Sequence, residues 1–319
     1  MSRAPGRDVY RPDVTESHWL SAALWVISVA GYLVAAYVLL VVARDALALE
    51  NGVRVETGGA AGWDSYSTWL ASQHLRAGEP VYPIGPLPGI GAIYYPPLYV
   101  QLTAPLGLLP WPAFSALARL VEFVALRGLA GSWRATGILL LFPPVLMEVN
   151  IANIVLITAL GTSLALRGWT YLIVPAALPK YAPALAAPIV WRLWPEGRRA
   201  LLLAAGGMAA AIAVSYAADP ALWSAWADAV LRLRQYGDLG VQEGFDSGFF
   251  IRLAAAVALV GLALVPRWPF PRATALVATM VGLPALRFSS LAILAGLPLL
   301  LRADLEASGS PPWWRGRGR

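Results

Sequence analysis

Long stretches without charged residues dominate this chain. Trp19 to Ala43, Tyr94 to Ala118 and Ala200 to Ala218 contain no Asp, Glu, Lys or Arg. A helix needs about 20 apolar residues to cross a bilayer core that is about 30 Å thick. Leu, Ala and Val follow one another in these stretches, without the alternation of apolar and polar residues that is typical of a barrel strand. The pattern therefore predicts membrane-spanning α-helices.

Applied to the whole chain, the same criterion predicts an all-α, polytopic integral membrane protein with about ten or eleven transmembrane helices. The parity of crossings between residues 94 and 150 stays open. The candidate spans are 19–43, 96–109, 111–128, 136–149, 153–167, 169–179, 182–194, 200–217, 249–266, 272–285 and 288–301.

The positions of the Arg residues predict the orientation in the membrane. Arg clusters between spans mark the cytoplasmic side, and they include Arg192, Arg198 and Arg199. Residues 1–18 are then a cytoplasmic N-terminus, 19–301 a single transmembrane domain and 302–319 a basic cytoplasmic tail. Two long loops, about 44–93 and 219–248, are expected to lie outside. We therefore expect a multi-pass protein of the cell membrane.

Composition narrows the functional classes. The chain is 58% hydrophobic and 13% charged, with a formal net charge of +6. No basic stripe with interleaved aromatics accompanies that charge, which argues against a nucleic-acid partner. With no Cys and two His, disulfides, thiolate zinc sites and a His-based metal centre are excluded or improbable. No cofactor or resident metal is expected, although the composition leaves a divalent ion open.

Both external loops contain a predicted amphipathic helix. In the first loop, residues 64–75 have helical periodicity, and such a helix would lie along the membrane surface. One face carries Tyr66, Trp69, Leu70 and Gln73, and another carries Asp64, Ser67, Thr68 and Ala71. In the second loop, a similar surface helix is predicted from the spacing of Trp223, Trp226, Val230 and Leu233.

The motifs of soluble enzymes are missing, including a Walker loop, HExxH, GxSxG and DxD. Another series of motifs is present. It consists of Asp64, Gly-Glu-Pro-Val-Tyr at 78–82, Tyr-Tyr-Pro-Pro-Leu-Tyr at 94–99, Pro-Leu-x-x-Leu-Pro at 105–110, Asn150 with Asn153, and Leu-Pro-Lys-Tyr-Ala-Pro at 178–183. In this order the motifs resemble glycosyltransferase family 87 of the C-type (GT-C) superfamily. The resemblance extends from about Gly62 to Arg302.

That resemblance implies an activity. Members transfer a sugar, often the hexose mannose, from a polyprenyl-phosphate donor to a lipid or glycan acceptor at the outer face of the membrane. By position in the motifs, Asp64 would be the general base of an inverting displacement. Lys180 and Arg287 would bind the donor phosphate, and the substrate-binding residues would be Tyr66, Tyr94, Tyr95, Asn150 and Asn153. The chain departs from the family at 148–153, where Glu-Val-Asn-Ile-Ala-Asn lacks the usual Gly-Gln.

Each assignment has a structural alternative. Asp64 is also a favoured helix N-cap residue, Lys180 can extend to the headgroups, and Arg287 can anchor a loop. Glu148 either pairs with an Arg or lines a cavity. For the protein as a whole, the alternatives are a lipid or glycan transporter or flippase, in which buried charges line a substrate path, and a non-catalytic subunit of an envelope-synthesis complex.

Overall fold

A computed structural model describes residues 14–50, 63–82, 94–238, 248–283 and 286–308. In these ranges all regular secondary structure is helical, as the sequence predicts. The predicted tail beyond residue 308 lies outside the described residues, as does most of the N-terminal segment.

The described ranges contain fourteen α-helices and five short 3-10 helices. The α-helices are α1 Val14–Glu50, α2 Trp63–Ala77, α3 Pro97–Thr103, α4 Trp111–Ala130, α5 Trp133–Leu140, α6 Pro143–Ile151, α7 Val155–Leu166, α8 Ile173–Ala177, α9 Ala187–Leu193, α10 Arg198–Ala218, α11 Pro220–Asp238, α12 Phe249–Ala263, α13 Pro271–Val281 and α14 Leu297–Ala307. The 3-10 helices are Ala104–Leu108, Thr170–Leu172, Ala182–Ala186, Pro195–Gly197 and Phe288–Gly296.

Three helical segments in the described part of the chain are long and apolar enough to cross a membrane: His18–Ala48, Pro195–Ala218 and Phe288–Ala307. A fourth crossing is possible if α5 and α6 are counted together, although their axes differ by 90°. Several other predicted spans are shorter than a bilayer core, and some are divided between a 3-10 helix and an α-helix. The count of ten or eleven crossings therefore stays a prediction.

The predicted span 136–149 is not one straight helix. α5 ends at Leu140 and α6 begins at Pro143, so the bend falls in the region where the parity of crossings stays open. Pro143 and Pro144 have no backbone N–H, and their rings clash with the preceding turn of a continuing helix. Both residues are instead tolerated in the first turn of α6, where N–H groups have no intrahelical partner.

The hydrophobic core is centred on α7. Its buried residue Leu156 belongs to the same cluster as Leu126 of α4, Ile189 of α9, Leu276 of α13 and Ile293 of the 288–296 helix, and all five side chains are fully buried. The outward faces of α1, α10 and α12 instead carry many exposed apolar side chains. Exposed apolar surface of this extent marks a contact with membrane or protein.

Both predicted loop helices are present. The predicted helix over 64–75 is α2, and the Trp-containing helix of the second loop is α11. α2 packs against α3 and the 104–108 helix, and α11 packs against α10 and α3. α2 and α11 therefore both pack against α3, and both contribute residues to the cavity described below.

Candidate functional site

A cavity of about 900 Å³, which we call the large cavity, brings six of the predicted site residues together. α10, α11, the N-terminus of α2 and the segment around Lys180 contribute to its wall. Most of the other lining residues are aliphatic or aromatic. The six predicted residues are Asp64, Tyr94, Tyr95, Asn153, Lys180 and Arg287.

The position of Asp64 depends on how α2 is held. Three side chains of α2 donate hydrogen bonds to carbonyl groups of the segment 107–109. The indole Nε1 of Trp69 lies 2.9 Å from the carbonyl oxygen of Leu109, and Arg76 Nη1 lies 3.3 Å from that of Gly107. The side-chain amide of Gln73 donates to the same Gly107 oxygen. These bonds hold α2 against the 104–108 helix and Leu109.

The polar face of α2 turns inward. Ser65, Ser67, Thr68 and Ser72 are buried, and Asp64 begins this face. Asp64 lies inside the first turn of α2, which starts at Trp63 in the described residues. A carboxylate interacts favourably with the helix N-terminus at that position. The chain thus presents a carboxylate to the large cavity from a fixed helix end.

Tyr66 has a different environment. Its ring lies 5.1 Å from that of Trp111 and 5.7 Å from that of Trp69, centroid to centroid, in a cluster that also includes Phe114. Tyr66 does not line the large cavity. The structure therefore places this predicted substrate-binding residue among the aromatic contacts that hold α2 against α4.

Asn150 also lies off the cavity. Its backbone oxygen accepts a hydrogen bond of 2.7 Å from Arg119 Nη2, and Arg119 Nη1 donates to the carbonyl oxygen of Ser115 at 2.9 Å. Arg119 thereby links α4 to the end of α6. The structure gives Asn150 a backbone contact within the bundle, whereas its neighbour Asn153 reaches the cavity.

The segment 94–95 is held by contacts on several sides. Tyr95 donates a hydrogen bond of 2.9 Å from its hydroxyl to Asn153 Oδ1, and its backbone oxygen accepts one of 2.9 Å from the Tyr82 hydroxyl. Trp226 of α11 donates from Nε1 to the carbonyl oxygen of Tyr94 at 3.0 Å. α11 is thereby attached to the rim of the large cavity.

Lys180 follows the one-turn helix α8 and faces the large cavity. Its ammonium group donates no hydrogen bond within the described ranges. It interacts electrostatically with the carboxyl groups of Glu148, Asp64 and Glu122. Arg287 adds a second positive charge to the cavity wall. The side chain of Arg287 is exposed, and its backbone N–H donates to Ser290 Oγ at 3.3 Å.

Glu148 is completely buried, and its Oε1 accepts a hydrogen bond of 2.9 Å from the backbone N–H of Val155. Val155 is the first residue of α7, and its N–H group has no acceptor within that helix. Glu148 of α6 supplies the acceptor and thereby holds the N-terminus of α7. Neither alternative considered for Glu148, pairing with an Arg or lining a cavity, describes this contact.

A second cavity of about 520 Å³, the small cavity, adjoins the large cavity at Asp64. The two cavities have five lining residues in common: Asp64, Tyr95, Asn153, Leu178 and Pro179. Asp64 therefore lines both cavities. An ionisable side chain at the junction of two ligand-sized cavities suits a reaction between two ligands.

The small cavity contains a residue that the motif analysis missed. Glu122 of α4 is 1% exposed and lines this cavity. Glu122 and Arg119 lie three residues apart in a predicted span, and ionisable residues within spans are usually functional. Two ionisable residues at this spacing in one span were the sequence signal that could have indicated Glu122.

No family model, curated protein or solved structure matches this chain. Among the described residues, no three His, Cys, Asp or Glu side chains come close enough together to hold a metal ion.

Proposed function

We propose that this chain is a multi-pass membrane glycosyltransferase of GT-C type, which transfers a hexose such as mannose from a polyprenyl-phosphate donor to a lipid or glycan acceptor. One observation carries the proposal: Asp64 lies where two cavities meet, and one of those cavities contains Lys180 and Arg287. A group-transfer enzyme with two substrates needs such an arrangement. On this proposal the site faces the outer side of the membrane.

The large cavity is assigned to the donor. A leaving phosphate requires positive charge, which Lys180 and Arg287 supply at the cavity wall. Most of the remaining wall is apolar, and Tyr181 and Ile212 on its lining are 41% and 36% exposed. A prenyl chain can leave through an apolar opening of this kind into the bilayer.

The chemistry needs one base and one stabilised leaving group. Asp64 removes the proton from an acceptor hydroxyl as the acceptor oxygen attacks the anomeric carbon. The bond between that carbon and the phosphate oxygen breaks, and the electron pair leaves with the polyprenyl phosphate. Lys180 and Arg287 stabilise the phosphate charge. Because attack and departure take place on opposite sides of the anomeric carbon, its configuration inverts.

The test is sugar transfer in proteoliposomes with a panel of labelled polyprenyl-phosphate sugars. Asp64→Asn removes the base and is expected to lower the rate of transfer by about 10²- to 10⁴-fold, with an unchanged melting temperature. Asp228→Asn makes the same chemical change on the exposed face of α11 and serves as the matched control. Wild-type turnover that persists in Asp64→Asn would remove Asp64 from the mechanism.

A lipid or glycan transporter is the second candidate, favoured by the buried carboxyl groups of Glu122 and Glu148 and by Lys180 on the wall of the large cavity. Ionisable groups at membrane depth often mark a transport path. Uptake of a labelled lipid-linked sugar into sealed vesicles without a new glycosidic bond would select this function. A non-catalytic subunit would instead show neither activity when purified alone and would co-purify with a partner.

A further inference from the structure

We propose that the small cavity binds an amphiphile with a hydroxyl-rich headgroup, and that Glu122 accepts a hydrogen bond from a headgroup hydroxyl. If the proposed function holds, this amphiphile is the acceptor. That identification rests on the proposed function, whereas the binding site itself does not. Glu122 lies on the small cavity together with Asp64. A headgroup with several hydroxyls can therefore contact both carboxylates.

Glu122 differs from the other buried carboxylates of the described chain. The backbone N–H of Leu156 acts on its carboxyl group, but neither side-chain oxygen has a hydrogen bond of normal distance and angle there, although the side chain is 1% exposed. Glu148 has a backbone N–H at 2.9 Å, and Asp304 has the guanidinium of Arg272 at 2.9 Å. Burial of a carboxylate without partners is strongly unfavourable. An unpartnered carboxylate on a cavity wall is explained when a ligand supplies the donors.

The rest of the lining indicates what kind of ligand brings those donors. Hydroxyl groups surround the polar part of the small cavity, and the remainder of the wall is largely aliphatic. No Lys or Arg belongs to the lining in the described part of the chain, which disfavours a phosphate headgroup. The hydroxyl-bearing residues are Ser65, Thr68, Tyr95, Tyr99, Thr103 and Thr158.

The apolar end of the small cavity reaches the outside of the bundle. Leu106, Val121 and Ile157 line the cavity and are 39%, 41% and 38% exposed. Large apolar side chains that border both a cavity and the outer surface form an opening suited to a hydrocarbon chain. The ligand therefore combines a polar headgroup near Glu122 with a chain that extends toward the membrane.

The hydroxyl-bearing lining favours a polyol over an amine. An ammonium headgroup could pair with Glu122, but it carries donors only and cannot accept hydrogen bonds. A headgroup with several hydroxyls can also accept hydrogen bonds from the Ser, Thr and Tyr hydroxyls of the wall. A neutral headgroup with several hydroxyls satisfies the two Glu122 oxygens without adding charge, and a pure hydrocarbon would leave them without donors.

The experiment uses the full chain in nanodiscs and a dodecyl glycoside with a photoreactive diazirine in its alkyl chain. Irradiation should label residues of α4 and α7 that line the small cavity. Unlabelled dodecyl glycoside should compete for this labelling better than dodecyl phosphate or dodecylamine of the same chain length. Better competition by dodecylamine would overturn the polyol assignment in favour of a cation site.

Variants test the role of Glu122 itself. Glu122→Gln keeps the shape but replaces one carboxyl oxygen by an amide NH2, which cannot accept a hydrogen bond. It should raise the half-saturating glycoside concentration by about tenfold, the value of one hydrogen bond. Glu196→Gln makes the same change at an exposed residue away from the cavity and should leave labelling unchanged. Ile157→Trp at the opening should also reduce labelling. Unchanged affinity in Glu122→Gln would overturn the inference.

This binding assay separates failure of the inference from failure of the proposed function. Glu122-dependent labelling in a protein that transfers no sugar would support the site and reject the glycosyltransferase. Sugar transfer with an unchanged KM for the acceptor in Glu122→Gln would support the enzyme and reject the site. If both proposals hold, Glu122→Gln should raise the acceptor KM and leave the donor KM unchanged.

Discussion

The contact between α2 and Gly107 gives the sharpest test of how Asp64 is positioned. A Cβ atom at Gly107 would lie 2.7 Å from Ser72 Cβ and 3.3 Å from the backbone carbon of Ser72. Carbon atoms in ordinary contact are about 3.5 to 4.0 Å apart. Gly107→Ala therefore requires α2 to move away from the 104–108 helix by about 1 Å.

The expected effect on activity follows from the rigidity of α2. Ser72 and Asp64 belong to one continuous helix, so a shift at Ser72 is carried to the Asp64 carboxylate. A displacement of about 1 Å between reacting groups lowers a rate by about a hundredfold. Insertion of a methyl group into a tight contact also costs about 1–3 kcal/mol of folding free energy.

The assay compares initial rates of sugar transfer and thermal melting for the wild type, Gly107→Ala and Gly206→Ala. Gly206 lies within α10, and a Cβ atom there has no heavy atom within 4 Å. Gly206→Ala should keep full activity and melt at the same or a slightly higher temperature, because Ala favours helix over Gly by about 1 kcal/mol. Gly107→Ala should melt at a lower temperature and transfer sugar about a hundredfold more slowly.

Two results would refute this reasoning. Unchanged melting and unchanged rate in Gly107→Ala would show that α2 does not rest closely on Gly107. Lowered melting with an unchanged rate would show that the contact exists but that it does not position the proposed base, Asp64. The second result would weaken the role of Asp64 and leave the fold as described.

Two further predictions concern charged residues of the bundle. Asp304→Asn should destabilise the protein by about 3–5 kcal/mol, because its buried carboxylate accepts hydrogen bonds from Arg272 Nη1 at 2.9 Å and the backbone N–H of Ala273 at 3.1 Å. Glu306→Gln on the same helix breaks a largely exposed ion pair and should change stability by less than about 1 kcal/mol in the same thermal unfolding experiment. Lys180→Met should lower the transfer rate by about a hundredfold, as expected for the loss of a group that stabilises charge in the transition state. Lys180→Arg should retain part of that rate, and equal rates in Lys180→Met and wild type would exclude a phosphate contact.

The helical secondary structure, including the amphipathic helices α2 and α11, could be predicted from sequence because it depends on neighbours within a few residues. The run of Leu, Ala and Val between Trp19 and Ala43 becomes α1, and the periodicity of 64–75 becomes α2. The polar face of α2 was visible in the same way. Its inward orientation was not, because the carbonyl groups of Gly107 and Leu109 that hold α2 are more than thirty residues away.

The bend between α5 and α6 shows another limit. Pro143 and Pro144 indicate an interruption in any helix that includes them. The same two residues are compatible with a modest kink in one span or with the 90° turn that is present. The choice depends on the packing of α5 against α1 and of α6 against the 288–296 helix.

For the candidate site too, the sequence indicated the residues but not their positions. Local motifs and a family resemblance selected Asp64, Lys180 and Arg287, which the fold brings to one cavity, but they also selected Tyr66 and Asn150, which it places elsewhere. A sequence motif determines which side chain is present and which helix face carries it. A cavity is the space left between helices that are distant in sequence, so its position depends on their packing. For that reason only the tertiary structure placed Asp64 between two cavities.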